Sequence, residues 1–127
     1  MDDEKYMNIK KFSEATNLTT YTIRYYEKMG LLKNISRNSS GHRWFTDKDI
    51  VWVAFIKRLK DTGMPLEGIL QYAELRELGC STSEKRMQML QDHALKLEAN
   101  ITEQQSNLKK LQQKITYYSD AIKLQSI

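Results

Sequence analysis

Residues 19–32 read TTYTIRYYEKMGLL and place hydroxyls, phenols and cations at helical spacing. Ile23, Tyr26 and Met29 recur at intervals that turn them inward, which leaves Thr20, Tyr21, Arg24, Tyr25 and Lys28 outward. Arginine and lysine neutralise phosphates, while Thr and Tyr hydroxyls donate to phosphate oxygens or reach base edges. The outward set therefore suits a phosphate-lined groove. An ordinary solvated helix face is the plainer alternative.

The neighbouring segments are of the kind needed to present such a helix. Residues 8–16 can form one small helix, Asn17 and Leu18 a tight turn, and Thr19 a hydroxyl cap on the free amides of the next helix. This is helix-turn-helix spacing. Gly30 is placed to close the second helix in the left-handed conformation, with Leu31 and Leu32 folding back onto the core. Residues 33–45 then hold a polar turn cluster, Asn38-Ser39-Ser40-Gly41, between two short segments able to pair, and so predict a β-hairpin wing. Along its second arm His42 and Trp44 alternate with Arg43 and Phe45. Arg37, His42 and Arg43 flank the wing tip and are candidate contacts to phosphates or to the minor groove.

Thr46 and Asp49 resemble a capping box, which predicts a helix of about 16 residues ending near Gly63, with Ile50, Trp52, Val53, Ala54 and Ile56 supplying its buried side. Pro65 marks the start of the following helix, which carries Ile69, Leu70, Ala73 and Leu75 and stops at Gly79. Ser81 and Glu84 form a second S-x-x-E start, and no Gly or Pro follows. From there Met87, Leu90, Ala94, Leu97, Ile101, Leu108, Leu111, Ile115, Tyr118 and Ile122 recur at alternating gaps of three and four, with Gln104 in the one polar slot. Such a seam is about six heptads long and predicts a helix of roughly 60 Å. A lone helix cannot bury that stripe, and the simplest partner is the same helix of a second copy. Gln104 would fix the register, and an elongated monomer folded back on itself is the alternative. The expected division is 1–78 and 79–127, with residues 1–4 an acidic, frayed start.

Composition narrows the function classes. Hydrophobic content of 40% and charged content of 28% are those of a soluble protein. No apolar run approaches the roughly 20 residues of a membrane helix, and the N-terminus lacks a secretory pattern, so a cytoplasmic chain is expected. Between residues 5 and 60 there are twelve Lys/Arg against four Asp/Glu, so the net charge of +4 conceals a strongly basic region around the helix pair. Nucleic acid is the polyanion that such a concentration would attract.

Several separated blocks agree in order with a known family. Thr22-Ile23-Arg24-Tyr25-Tyr26-Glu27, Gly30-Leu31-Leu32, Gly41-His42-Arg43-Trp44-Phe45 and the Asp49-Ile50 helix start resemble the signature of MerR-type transcriptional regulators, and the resemblance runs from residue 7 to residue 79. It implies a mainly α fold in which a winged helix-turn-helix DNA-binding domain is followed by a long C-terminal coiled-coil dimerisation helix. It also implies an antiparallel homodimer on a pseudo-palindromic operator, within a promoter whose RNA polymerase elements are spaced too far apart. Bending and untwisting the duplex would bring those elements into register. By the same resemblance Thr20, Tyr21 and Arg24 would contact the groove and its bases, and Tyr25, Arg43 and Lys60 would clamp phosphates. Packing of Tyr25 against the wing and a solvated helix end at Lys60 are the structural alternatives.

The chain departs from metal-sensing members of that family, which carry cysteines at both ends of the long helix. Here Cys80 stands alone, and His42 and His93 are scattered, so neither a metal site nor another cofactor is expected. The resemblance is closest to a branch linked to aldehyde and thiol stress, in the regions of Trp52, Phe55-Ile56-Lys57 and Gln71-Tyr72. Arg58 occupies the place of that branch's reactive cysteine. Cys80, just before a helix start, is a candidate redox thiol or an unreactive loop thiol. No nucleophile-base constellation or phosphate-binding glycine loop points to an enzyme. The competing readings are an architectural DNA binder and a coiled-coil interaction protein without a small-molecule effector.

Overall fold

A computed structural model describes residues 6–33 and 35–126; the frayed start expected at residues 1–4 lies outside them. The elements run β1 (Tyr6–Met7), α1 (Ile9–Thr16), α2 (Thr20–Met29), β2 (Ser36–Arg37), β3 (Arg43–Thr46), α3 (Asp47–Asp61), α4 (Leu66–Glu77), a 3-10 turn (Cys80–Thr82) and α5 (Ser83–Gln125). The chain divides into two compact units, Met1–Met89 and Leu90–Ile127.

Local chemistry sets the boundaries of the first two helices. Asn8 caps α1 by accepting the Lys11 amide at 2.9 Å, and Thr19 caps α2 by accepting the Thr22 amide at 3.1 Å. Between them Asn17 takes the left-handed conformation at φ +60°, which asparagine tolerates better than most residues. The Ser13 hydroxyl reaches over this turn to the Leu18 carbonyl. Lys57 of α3 donates to the Thr16 carbonyl at 2.7 Å, so a free acceptor at the end of α1 is satisfied from another helix. Gly30 ends α2 at φ +93°, where a side chain would be strained, and Leu31 and Leu32 donate back to the Tyr26 carbonyl as they turn inward.

The wing forms as expected, with Ser36 opposite Trp44 and Arg37 opposite Arg43, but it is one strand larger. Tyr6 and Met7 pair with Thr46 and Phe45, giving a three-stranded antiparallel sheet of order β1-β3-β2. Two paired residues are too short a segment to show alternation.

α1 packs on α2, α3 and β3 around a core of Phe12, Ile23, Leu31, Leu32, Phe45, Val53 and Ile56. Phe12 and Phe45 are fully buried and stack at 4.2 Å between ring centres with planes 6° apart, joining the helix pair to the wing. The α3 cap is also as expected: the Asp49 carboxylate accepts the Thr46 amide at 2.9 Å and its hydroxyl at 3.1 Å.

Three expectations need correction. Ala54 is exposed and Ile50 only half-buried, while Leu59 completes the buried side of α3, because that side follows a stripe through Trp52, Val53, Ile56 and Leu59. On α4 the buried set is Ile69, Tyr72 and Ala73, with Leu70 and Leu75 half-buried; Tyr72 stacks on Trp52 at 6.0 Å and takes the inner position. The long helix starts at Ser83 rather than at a Ser81 cap, because Cys80–Thr82 winds into a 3-10 turn and the Thr82 hydroxyl bonds the Leu75 and Gly79 carbonyls. α5 then runs for 43 residues with none of them buried.

Removing half of the Phe12–Phe45 stack leaves a cavity under the wing, so Phe45→Ala should lower unfolding free energy by about 3–5 kcal/mol. Urea titration measures this directly. A loss below about 1 kcal/mol would mean that the wing is not anchored through this stack.

Candidate nucleic-acid interface

The outward face of α2 carries the side chains expected there. Tyr21 is 77% exposed and Tyr25 47%, Arg24 and Lys28 are exposed, and Thr20 is half-buried. Thr19 serves first as a cap, and its hydroxyl also donates to the Thr22 hydroxyl at 2.9 Å. Ile23 and Tyr26 point into the core, so the polar face is held rigidly by the apolar one.

Arg24 does not stand alone. It borders a depression of about 450 Å³ shared with Asn8, Lys10, His42 and Arg43, where α2, the beginning of α1 and the wing converge. The sequence pattern points to Arg24, His42 and Arg43 but not to Lys10 or Asn8. Lys10 was visible in the charge count, but only the fold shows that the first turn of α1 opens beside the wing.

Glu27 does not stand out in the sequence, yet it contacts both wing arginines. Its carboxylate accepts Arg43 Nε at 2.6 Å and faces Arg37 Nη2 at 3.4 Å, so one α2 side chain ties both arms of the wing to the recognition helix. Arg37 Nη1 also donates to the Gly41 carbonyl at 3.0 Å. These arginines are thus not free charges at a loose tip, as their place in the sequence would imply. Each guanidinium still carries further N–H donors for an anion, now in a fixed orientation. The tip itself is organised by Asn38, whose side-chain oxygen accepts the Ser40 and His42 amides, both at 3.0 Å, leaving the His42 ring exposed.

Tyr25 and Lys60 come together on a second depression of about 330 Å³, floored by Met29, Leu31, Ile56 and Met64. Tyr25 and Lys60 are both exposed. Cys80 is exposed in the 3-10 turn and borders neither depression. Among the described residues no group of three or more His, Cys, Asp or Glu is gathered as metal ligands would be.

The helix pair, wing and basic face match known proteins along most of the chain. Residues 7–76 match the MerR HTH family regulatory proteins, and residues 50–114 match the family described as MerR, DNA binding. The chain belongs to the MerR family. An HTH-type transcriptional regulator of Haemophilus influenzae is 36% identical over 117 residues, covering 92% of this chain and 87% of the relative. The crystal structure of HiNmlR, a MerR family regulator lacking the sensor domain, bound to promoter DNA, superimposes with a TM-score of 0.82 at 34% identity, covering 91% of this chain and 92% of that one. A MerR family transcriptional regulator of Bacillus thuringiensis gives a TM-score of 0.75 at 34% identity, covering 87% and 97%. This MerR-family chain is a DNA-binding transcriptional regulator with a winged helix-turn-helix fold and a long C-terminal helix.

The Glu27 contacts differ in strength. The partly buried, charge-assisted Arg43 bond should show a coupling of about 1–2 kcal/mol in a double-mutant cycle of Glu27→Gln with Arg43→Gln. The longer, more exposed Arg37 contact should give less than about 1 kcal/mol. Equal couplings would show that the wing is not held mainly through β3.

Proposed function

We propose that the chain acts as a homodimer on a pseudo-palindromic promoter operator and alters transcription by RNA polymerase by distorting the duplex. Residues 1–78 serve as the DNA-binding domain and 79–127 as the dimerisation helix. The convergence of α2, the wing and the start of α1 on one basic face carries this reading. Thr19, Thr20, Tyr21 and Arg24 meet the groove, and Arg37, His42 and Arg43 follow the adjoining backbone from the wing. Tyr25 and Lys60 take a phosphate between them.

The long helix supports the dimer. Met87, Ile101, Leu108, Leu111, Ile115, Tyr118 and Ile122 are exposed in the single chain, although they form the seam with Leu90, Ala94 and Leu97. Apolar surface removed from water is worth about 25 cal/mol per Å², so a stripe this long favours pairing with a like stripe. HiNmlR, of similar sequence and fold, is bound to promoter DNA. Two grips on one rigid dimer can impose a bend or twist whose cost depends on the sequence between them.

Selection of binding sites from random duplexes at near-physiological salt should return an inverted repeat. Recovered duplexes that share no sequence would favour an architectural binder instead. On the selected site, Arg24→Ala should weaken specific binding by about 1–3 kcal/mol more than binding to random DNA, whereas Lys60→Ala should weaken both alike. Equal patterns for the two variants would overturn the division of roles. Leu108→Glu should shift sedimentation from dimer toward monomer, and an unchanged dimer would place the interface elsewhere.

A further inference from the structure

At the tip of the wing a titratable ring stands among permanent cations. His42 is exposed, and Asn38 holds both of its backbone groups: the His42 amide donates to the Asn38 side-chain oxygen at 3.0 Å, and its carbonyl accepts the Asn38 amide at 2.9 Å. The imidazole therefore projects from a fixed stem. It borders the depression of about 450 Å³ together with Lys10 of α1, Arg24 of α2 and Arg43 of β3, and none of the described lining residues is a carboxylate. Glu27 of α2 is engaged with Arg43 at 2.6 Å and with Arg37 at 3.4 Å. Arginine and lysine keep their charge throughout the neutral range, whereas a histidine ring ordinarily changes charge between about pH 5 and 8. An imidazolium presents two N–H donors and a positive charge, and the neutral ring one donor and no charge. A phosphate drawn in by Lys10, Arg24 and Arg43 favours the charged ring over the neutral one.

We propose that His42 meets the DNA backbone as an imidazolium and takes up a proton as the complex forms, so that the grip of the wing on DNA is linked to pH. This deepens the reading of the wing as a backbone contact and rests on it. The sign follows from linkage: a complex that holds the proton more tightly than the free chain is strengthened as pH falls. A tenfold gain in proton affinity gives about a tenfold gain in DNA affinity per wing over the full titration, of which about fivefold falls between about pH 6 and pH 8.

The test uses the full chain and a duplex of random sequence, because a backbone contact needs no operator. At constant ionic strength the unaltered chain should bind about fivefold or more tightly at about pH 6 than at about pH 8. His42→Gln should bind equally at the two pH values, near the weaker limit, and His42→Arg equally at both, near the tighter limit. His93→Gln, on α5, should keep the dependence of the unaltered chain. Calorimetry in two buffers of unlike ionisation enthalpy should show proton uptake on binding by the unaltered chain and none by His42→Gln. Equal affinity of the unaltered chain at the two pH values overturns the proposal, as does a pH dependence that survives His42→Gln. Either result leaves the DNA-binding reading intact, because the duplex is still bound; absence of duplex binding at every pH would overturn that reading and this one together.

Discussion

The Phe12–Phe45 stack is the contact on which the DNA-facing architecture depends. A domain this small has one core, and here the two rings join elements distant in sequence, a helix of the helix-turn-helix and the last strand of the wing. Dispersion and burial between flat rings are insensitive to ionic strength, unlike the Glu27 ion pairs that also hold the wing. That matters for a surface that works in the field of a polyanion. The apolar stack keeps the wing in place where ionic contacts are screened.

Glu27 is the polar complement of that stack. A carboxylate on the recognition helix appears out of place beside a groove of phosphates, since it repels what the arginines attract. Its position resolves the conflict: it lies inward of Arg43, at 2.6 Å, and orients that guanidinium while subtracting one charge. An arginine fixed in this way gives up less side-chain freedom when it meets a phosphate than an unrestrained one would. Together the stack and the ion pair make α2 and the wing one presenting surface, with Arg24, His42 and Arg43 around a single depression.

The sequence disclosed the features written in local chemistry. Caps at Thr19 and Asp49, the left-handed Gly30 and the turn at Asn38 each depend on a few adjacent residues, and each stands where those residues place it. What stayed hidden depends on packing between distant segments. β1 has two residues and is a strand only because Phe45 and Thr46 lie beside it. The inner place of Tyr72 follows from its stack on Trp52, and the roles of Glu27 and Lys10 follow from the approach of the wing and α1 to α2. The 3-10 turn before α5 escaped for another reason: Ser81 and Thr82 are both plausible starts, and the Leu75 carbonyl that engages Thr82 belongs to the preceding helix.

That turn has a mechanical consequence. Thr82 bonds carbonyls at the end of α4, and Arg86, one turn into α5, holds the Gly79 carbonyl from the other side. The first turn of α5 is therefore tied to the end of α4. Trp52, stacked on Tyr72 of α4, donates its indole N–H to the Leu31 carbonyl at 2.7 Å, and Leu31 in turn donates to Tyr26 of α2. A continuous set of packed rings and hydrogen bonds thus leads from the first turn of α5 to the end of the recognition helix.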